Sequence, residues 1–300
     1  MAVRSYPELP GYKIIKHLGT GAHSTINLAQ RESDGEKVAV KRIVRRGPED
    51  DKFIAQAEAE YEIASRLEHP SLREYYDVVR VRKWFHTREL YLIMEFAEGE
   101  TLERHPPGRI GRVPAMFVQV AEGLHAMHKH GYLHADIKPN NIILHTNERV
   151  KIIDFGQSCR LGHTKERVQG TPDYMAPEQV RRQPLDQRTD VFNLGATMYW
   201  VLTRRAFSTA MPTQVDKNKL IDLASSRLNA APHELNPKIP PALSNLIMRC
   251  CESQPKNRPS DMREVISSLE MVEHLIKKQR SVAASGDEDA ESRAVSRKRR

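Results

Sequence analysis

The chain has 300 residues, of which 39% are hydrophobic and 29% charged, so it is long enough to bury one large core or two modest ones and is too apolar for a disordered chain. Its apolar runs are far shorter than the roughly 20 residues that span a bilayer, and its first residues lack the features of a secretory signal. We therefore expect a cytoplasmic protein with no membrane segment. The net charge of +8 is spread along the chain, with +7 outside residues 281–300, which argues against a nucleic-acid surface.

The three cysteines, Cys159, Cys250 and Cys251, are odd in number and form no C-x-x-C pair. This pattern predicts reduced thiols rather than disulfides or a structural zinc site.

The first third of the chain has short apolar runs with β-branched and aromatic residues, a pattern typical of strands. These runs are residues 12–18, 25–29, 38–43, 75–81 and 90–96. Residues 51–67 are instead rich in Ala and Glu and contain no Pro or Gly, which favours a helix. We expect a five-stranded sheet with one helix.

Beyond residue 99 the apolar period changes to three and four, beginning with Phe117, Val120, Ala121, Leu124 and Met127. Further helices are predicted over 190–202, 243–251 and 262–276. The predicted fold class is α+β. An N-terminal extension (1–10) precedes a small β-rich lobe (11–97), a larger mainly helical lobe (98–280) and a disordered charged tail (281–300).

A glycine turn, L-G-T-G-A-H-S-T-I over residues 18–26, lies between two predicted strands, which disfavours a Rossmann site. Its glycines would let backbone amides approach a polyphosphate, but such a turn is also typical of an ordinary hairpin. Downstream, V-A-V-K places Lys41 at the end of an apolar strand. Its partner would be a glutamate of the next helix (Glu58, Glu60 or Glu62) or a phosphate, unless the amine lies in solvent.

Three further motifs follow in order: H-A-D-I-K-P-N-N over 134–141, D-F-G over 154–156 and A-P-E over 176–178. With the glycine loop and V-A-V-K, this set resembles the eukaryotic-type (Hanks-type) protein serine/threonine kinases, including their soluble bacterial members, over residues 11–278. The resemblance implies the two-lobed protein kinase fold. It also implies transfer of the γ-phosphate of ATP, with Mg²⁺, to serine or threonine hydroxyls of protein substrates.

The resemblance also implies roles for individual residues. Asp136 would orient the substrate hydroxyl and Lys138 would reach the γ-phosphate. Asn141 and Asp154 would hold magnesium.

Lys41 would bind the α- and β-phosphates, and Glu60 would hold Lys41. Glu60 is preferred to its neighbours because it lies nine residues before His69, as in the family.

The implied nucleotide site extends over the glycine loop, the third strand and the segment that joins the lobes. Adenine would lie between Ile26 and Ala39 above and Ile143 below, against the backbone of Glu95 and Ala97. The full predicted set is Leu18, Gly19, Thr20, Gly21, Ala22, His23, Ser24, Ile26, Ala39, Lys41, Met94, Glu95, Ala97 and Ile143.

Lys138 and the sequence Gly170-Thr171-Pro172 favour serine/threonine over tyrosine specificity. By resemblance, Arg258 pairs with Glu178 in the fold, and Asp190 braces the backbone of the catalytic loop.

Three positions differ from the family pattern. Ala135 stands where many members have an arginine that binds a phosphorylated activation loop, so we expect activity that does not depend on such phosphorylation. Ser24 replaces a glycine, which predicts weaker nucleotide handling. Ala64 replaces a larger apolar residue that packs toward the D-F-G phenylalanine, which predicts a looser hold on the helix carrying Glu60.

Two other functions stay open from the sequence. A small-molecule phosphotransferase shares some of these motifs but usually lacks A-P-E and G-T-P, and a pseudokinase or scaffold would use the fold for binding alone. The sequence indicates neither the substrate nor the oligomeric state.

Overall fold

The small lobe is built on one antiparallel sheet with the strand order β1-β2-β3-β5-β4. The computed structural model describes residues 9–21, 23–83, 85–168, 170–208 and 229–279. The strands are β1 (Tyr12–Thr20), β2 (Ser24–Arg31), β3 (Lys37–Val44), β4 (Tyr75–Lys83) and β5 (His86–Glu95). All five predicted strands are therefore confirmed, and so is the one helix of this lobe, α1 (Asp51–Ala64), which a 3-10 turn introduces.

Both faces of this sheet are covered, which is why its central strands are continuously apolar. Ala39 and Met94 face the main core, whereas Val38 and Ile93 belong to a second buried cluster on the opposite face. Because side chains alternate along a strand, Lys41 lies on the same face as Ala39. The sequence V-A-V-K thus places an ammonium group on the core side of the sheet.

Helices form the large lobe. They are α2 (Val113–Lys129), α3 (Pro177–Val180), α4 (Gln187–Thr203), α5 (Pro232–Leu235), α6 (Pro241–Cys250) and α7, which covers residues 262–279. The four longer ones match the predicted helices, whereas the single turns α3 and α5 are too short to show a helical period. None of the described helices has the length and apolar content needed to cross a bilayer.

Short strands of two or three residues shape the junction between the lobes, and the sequence did not predict them. They are β6 (Glu100–Thr101), β7 (Tyr132–Leu133), β8 (Ile142–Leu144), β9 (Val150–Ile152) and β10 (Cys159–Arg160). The first, third and fourth form one small sheet, and β10 pairs with β7. They place the D-F-G segment directly after β9.

One buried apolar cluster continues from the small lobe into the large lobe. It includes Ile54 of α1, Phe155 of the D-F-G segment and Phe192 of α4. The motifs over residues 134–141 and 154–156 therefore lie beside a core that both lobes share. The predicted tail, 281–300, and most of the predicted N-terminal extension lie outside the described residues.

Candidate active site

A buried ion pair joins the sheet to helix α1. Lys41 Nζ lies 3.0 and 2.8 Å from the two carboxylate oxygens of Glu60 and 3.5 Å from Asp154 Oδ1. Burial opposes the charged form of Lys41, but the two carboxylates outweigh it and raise the pKa of the ammonium group. Lys41 is therefore a fixed positive charge at the inner wall of the cleft.

The structure places Glu60, and neither of its glutamate neighbours, against Lys41. Glu58 pairs with Arg80, and Glu62 pairs with Arg66 one helical turn further on. Glu60 lies on the face of α1 that is turned toward the cleft, where its side chain is almost fully buried, at 3% exposure.

The catalytic loop gathers polar groups around Asp136. Lys138 Nζ donates to Asp136 Oδ2 at 2.8 Å and to Thr171 Oγ1 at 2.7 Å. Asn141 Nδ2 donates to the carbonyl of Asp136 at 2.9 Å and to Oδ2 at 3.2 Å. Oδ1 accepts one longer hydrogen bond, from the backbone N–H of Thr171 at 3.3 Å. This less engaged oxygen has room for a further donor.

The backbone of Ala135, directly before Asp136, is strained and is held by two hydrogen bonds with neighbouring side chains. Ala135 has a φ of 59°, a left-handed conformation that a residue with a Cβ rarely adopts. Its N–H donates to Asp190 Oδ1 at 2.7 Å, and its carbonyl accepts from Gln179 Nε2 at 2.8 Å. Asp190 Oδ2 also accepts from the N–H of His134 at 2.9 Å. The predicted brace by Asp190 is thus present.

Asp154 faces the same cleft. Its Oδ1 accepts from the N–H of Gly156 at 3.1 Å, and Gln56 of α1 donates to the Gly156 carbonyl at 2.8 Å. A Cβ at position 156 would lie 3.2 Å from both Asp154 and Glu60, so this close approach favours glycine. Partial burial opposes ionisation of Asp154, but the Lys41 ammonium and the Gly156 N–H prevail and hold its pKa below the usual range.

These groups line one open cleft of about 760 Å³ between the lobes. Lys41, Glu60, Asp136, Lys138 and Asp154 all contribute to its wall. Asn141 is buried directly behind Asp136. The structure therefore brings together all six residues predicted for catalysis and metal binding.

The glycine loop forms the roof of the cleft, which Gly21, His23 and Ser24 line directly. The loop closes as a tight hairpin, since Gly21 N–H donates to the Ser24 carbonyl at 2.8 Å. The His23 ring stacks on Phe53 of α1, with ring centroids 3.4 Å apart. Leu18, Gly19 and Thr20 lie in β1, whereas the predicted Ala22 lies outside the described residues.

The residues predicted to hold adenine do not line this cleft. Ala39 and Met94 are paired neighbours in the sheet and are fully buried, and Ala97 is 6% exposed. Ile26 lies in β2, Glu95 is the last residue of β5 and Ile143 is the middle residue of β8. Their role in adenine binding stays a prediction.

The oxygens at the cleft suit a hard divalent cation. Asn141 directs its amide nitrogen to Asp136, which leaves its amide oxygen available, and Asp154 keeps a half-exposed carboxylate. One amide oxygen and one carboxylate match the sparse protein ligation of Mg²⁺, which keeps waters and binds phosphates as well. The donor set fits magnesium in the presence of a nucleotide.

The position of Ala135 is apolar. Ala135 packs with Leu133, Cys159 and Leu185 in a small buried cluster. The activation segment, the stretch between Asp154 and Glu178, is held on the large lobe by two contacts. Strand β10 pairs with β7, and the Gly162 N–H donates to the Leu185 carbonyl at 2.7 Å.

Lys165 forms hydrogen bonds within this activation segment. Its ammonium group donates to the backbone carbonyl of Gln157 and, at 3.2 Å, to the side-chain oxygen of that residue. Burial lowers the pKa of Lys165. No motif predicted this contact, which joins Gln157, directly after the D-F-G segment, to a lysine eight residues further along the chain.

A second buried ion pair lies beneath the A-P-E segment. Arg258 donates to both carboxylate oxygens of Glu178, at 2.7 and 2.9 Å. The same arginine donates to the carbonyls of Arg188, Glu252 and Ser253. The pair predicted by resemblance is present.

The sequence analysis did not identify two residues that contact the predicted site. Tyr75 donates its hydroxyl to Glu60, and Gln179 holds the strained Ala135. Tyr75 belonged to a predicted strand, where an aromatic residue indicates only core packing.

A β-rich lobe and a helical lobe that enclose a Lys–Glu pair, an H-A-D loop and a D-F-G segment define the class of protein. The family model described as protein kinase domain matches residues 12–274. The chain therefore belongs to the protein kinase family, as its motifs predicted.

Its relatives include serine/threonine-protein kinases, most of them bacterial. One is named probable serine/threonine-protein kinase in Clostridium acetobutylicum, 29% identical over 88% of this chain and 40% of the relative. PknB of Mycolicibacterium smegmatis is 29% identical over 86% of this chain and 42% of the relative. A receptor-like protein kinase of Arabidopsis thaliana is 30% identical over 86% and 40%. The chain spans about two fifths of the length of these relatives. These likenesses identify a domain of the Hanks-type serine/threonine kinase group.

Proposed function

We propose that the chain is an active protein serine/threonine kinase that transfers the γ-phosphate of ATP to serine or threonine hydroxyls. The observation that carries this proposal is the contact of Lys41 with both Glu60 and Asp154 in the cleft that Asp136 also lines. Phosphoryl transfer needs fixed cations at the phosphates and an oriented nucleophile, and these residue types supply both.

In the proposed mechanism, Asp136 Oδ1 accepts the hydrogen bond of the substrate hydroxyl and aims its oxygen at the γ-phosphorus. Lys138 lies 2.8 Å from the other oxygen of Asp136, so it is close enough to stabilise the charge that develops on the transferred phosphoryl group. Lys41, held by Glu60, binds the α- and β-phosphates.

Asn141 and Asp154 would hold magnesium through their oxygens. When bound, the cation neutralises phosphate charge and orients the phosphates. The low pKa of Asp154 supports this role, because the carboxylate stays ionised throughout the neutral range.

A protein substrate is favoured over a small molecule by the contact between Lys138 and Thr171. The backbone of the G-T-P segment lies directly against Asp136, and Gly170 has a φ of +128°, which a residue with a side chain would adopt only with strain. An extended peptide beside this segment would present its hydroxyl to Asp136. A cytoplasmic location belongs to the same proposal, because the reaction needs a supply of ATP.

We further propose that activity does not depend on phosphorylation between Asp154 and Glu178. Ala135 offers no cation to a phosphate and lies in an apolar cluster. The contact of Lys165 with Gln157 supports an activation segment that is held without a phosphate.

The test is transfer of labelled γ-phosphate to a generic protein and to the chain itself. Wild-type protein should label both, and Asp136→Ala and Lys41→Met should each lower labelling by about 10³-fold. Asp34→Ala, which removes an exposed carboxylate at a hairpin, is the matched control and should retain activity. Labelling of small molecules alone would favour the small-molecule phosphotransferase, and nucleotide binding without any transfer would favour the pseudokinase.

A further inference from the structure

Tyr75 connects the two halves of the proposed catalytic apparatus. It begins strand β4 and is 7% exposed. Its hydroxyl donates to Glu60 Oε1 at 2.7 Å, and its ring meets the Phe155 ring edge-on, with centroids 5.7 Å apart. Phe155 directly follows Asp154. Tyr75 therefore contacts both Glu60, the partner of Lys41, and the residue next to Asp154.

Tyr75 supports Glu60 in addition to the other contacts that hold α1. Ala64 ends the helix with a methyl group, and the sequence predicted a looser helix for this reason. Lys41 holds Glu60 from one side but is itself shared with Asp154. Tyr75 supplies both the aromatic contact with Phe155 and a hydrogen bond to the carboxylate.

The hydroxyl has a defined chemical state. Burial raises the pKa of Tyr75 well above its ordinary value, with Glu60 acting in the same direction. The phenol therefore stays protonated at neutral pH and can donate to the Glu60 carboxylate. Because the ring has few rotatable bonds and is packed on Phe155, the direction of this donor is fixed.

We propose that Tyr75 is a positioning residue for phosphoryl transfer, whose hydroxyl fixes the Glu60 carboxylate against Lys41 and is itself held in place by the contact of its ring with Phe155. This inference rests on the roles proposed above for Lys41 and Glu60. Tyr75 does not line the cleft and would act through Glu60.

The experiment is a double-mutant cycle on kcat/KM for ATP. Tyr75→Phe keeps the ring and removes the hydroxyl, and we expect about a tenfold loss, as for a hydrogen bond to a charged group. Glu60→Leu removes the acceptor and keeps the volume. In that background Tyr75→Phe should cause no further loss, because the hydroxyl no longer has a carboxylate to position.

Tyr76→Phe is the matched control, since the neighbouring hydroxyl lies 3.3 Å from Glu36 at an exposed edge. It should leave kcat/KM unchanged. Thermal melting of each variant separates positioning from loss of fold, and Tyr75→Phe is expected to melt close to wild type.

An unchanged kcat/KM in Tyr75→Phe, or an equal loss in both backgrounds, would overturn the inference while labelling by wild-type protein and its loss in Asp136→Ala kept the proposed function intact. Wild-type protein without transfer activity would remove both.

Discussion

Two buried ion pairs in the described part of the chain, Lys41–Glu60 and Arg258–Glu178, have similar charges and opposite surroundings. Arg258 directs all five of its N–H groups to protein acceptors, and its side chain is fully buried. Lys41 shares its ammonium group between two carboxylates, and its side chain is 15% exposed at the wall of an open cleft. The pair of Arg258 has no N–H group left for a ligand and therefore contributes to stability. The pair of Lys41 borders the cleft, where it can contact a substrate.

Replacing each cation by methionine tests this contrast most strongly at Lys41. We expect Lys41→Met to lower phosphate transfer by about 10³-fold, because a preorganised charge at the phosphates is lost. The unfolding free energy should fall by only about 1 to 2 kcal/mol, because Glu60, whose pKa burial already raises, can take up a proton. Labelled-ATP assays and urea unfolding measure the two effects. A large loss of stability with activity retained per folded molecule would reverse the comparison.

Arg258→Met should instead lower stability strongly and activity little. It leaves Glu178 buried and unpaired and frees three carbonyls, so we expect the unfolding free energy to fall by about 3 kcal/mol. Activity per folded molecule should stay close to wild type. Arg263→Met is the matched control, because its pair with Asp261 is 74% exposed on the arginine side and should contribute under about 1 kcal/mol. Equal losses in the two variants would contradict a structural role for the buried pair.

Asp190 sharpens the comparison, because backbone N–H groups and His128 hold this buried carboxylate. Burial opposes its charge, but these donors lower its pKa. Since the folded pKa lies below the unfolded one, the contribution to stability is complete above the unfolded value of about 3.9 and is lost as the pH falls through the folded pKa.

We therefore expect Asp190→Asn to lower the unfolding free energy by about 2 kcal/mol at pH 7 and by progressively less below about pH 4. Urea unfolding between pH 7 and pH 3 measures this. Asp173→Asn, at an exposed carboxylate, serves as control. A difference that stays constant with pH would show that the charge of Asp190 is not what matters.

The smallest expected effect is at Thr164, which is exposed in the activation segment. Thr164→Ala should keep phosphate transfer within about twofold of wild type, because the residue beside Asp136 is Ala135, which cannot bind a phosphate. Loss of activity with an unchanged melting temperature would show that phosphorylation here is required.

The sequence predicted the long elements and the candidate catalytic residues well, because both are encoded over short stretches of chain. Strands β1–β5 and the four longer helices carry clear periods, and Asp136, Lys138 and Asn141 belong to one short motif that resembles a known family. Glu60 required an added spacing argument, because three glutamates alternate along α1 and only the fold selects one face.

Tertiary contacts account for what the sequence could not predict. The strands β6–β10 are too short for any period. Tyr75 looked like an ordinary strand residue, and only the approach of α1 and Phe155 gives its hydroxyl a partner. Ala64, at the end of helix α1, predicted a looser hold on Glu60. The tyrosine that contacts Glu60 belongs to strand β4, 11 residues further along the chain.

The most direct test of the account is a crystal structure with Mn²⁺ and a non-hydrolysable ATP analogue, using anomalous scattering to locate the metal. The account predicts a peak at coordination distance from the oxygens of Asn141 and Asp154, with Lys41 against the α- and β-phosphates. An empty cleft, or a metal and nucleotide bound away from these three residues, would contradict it.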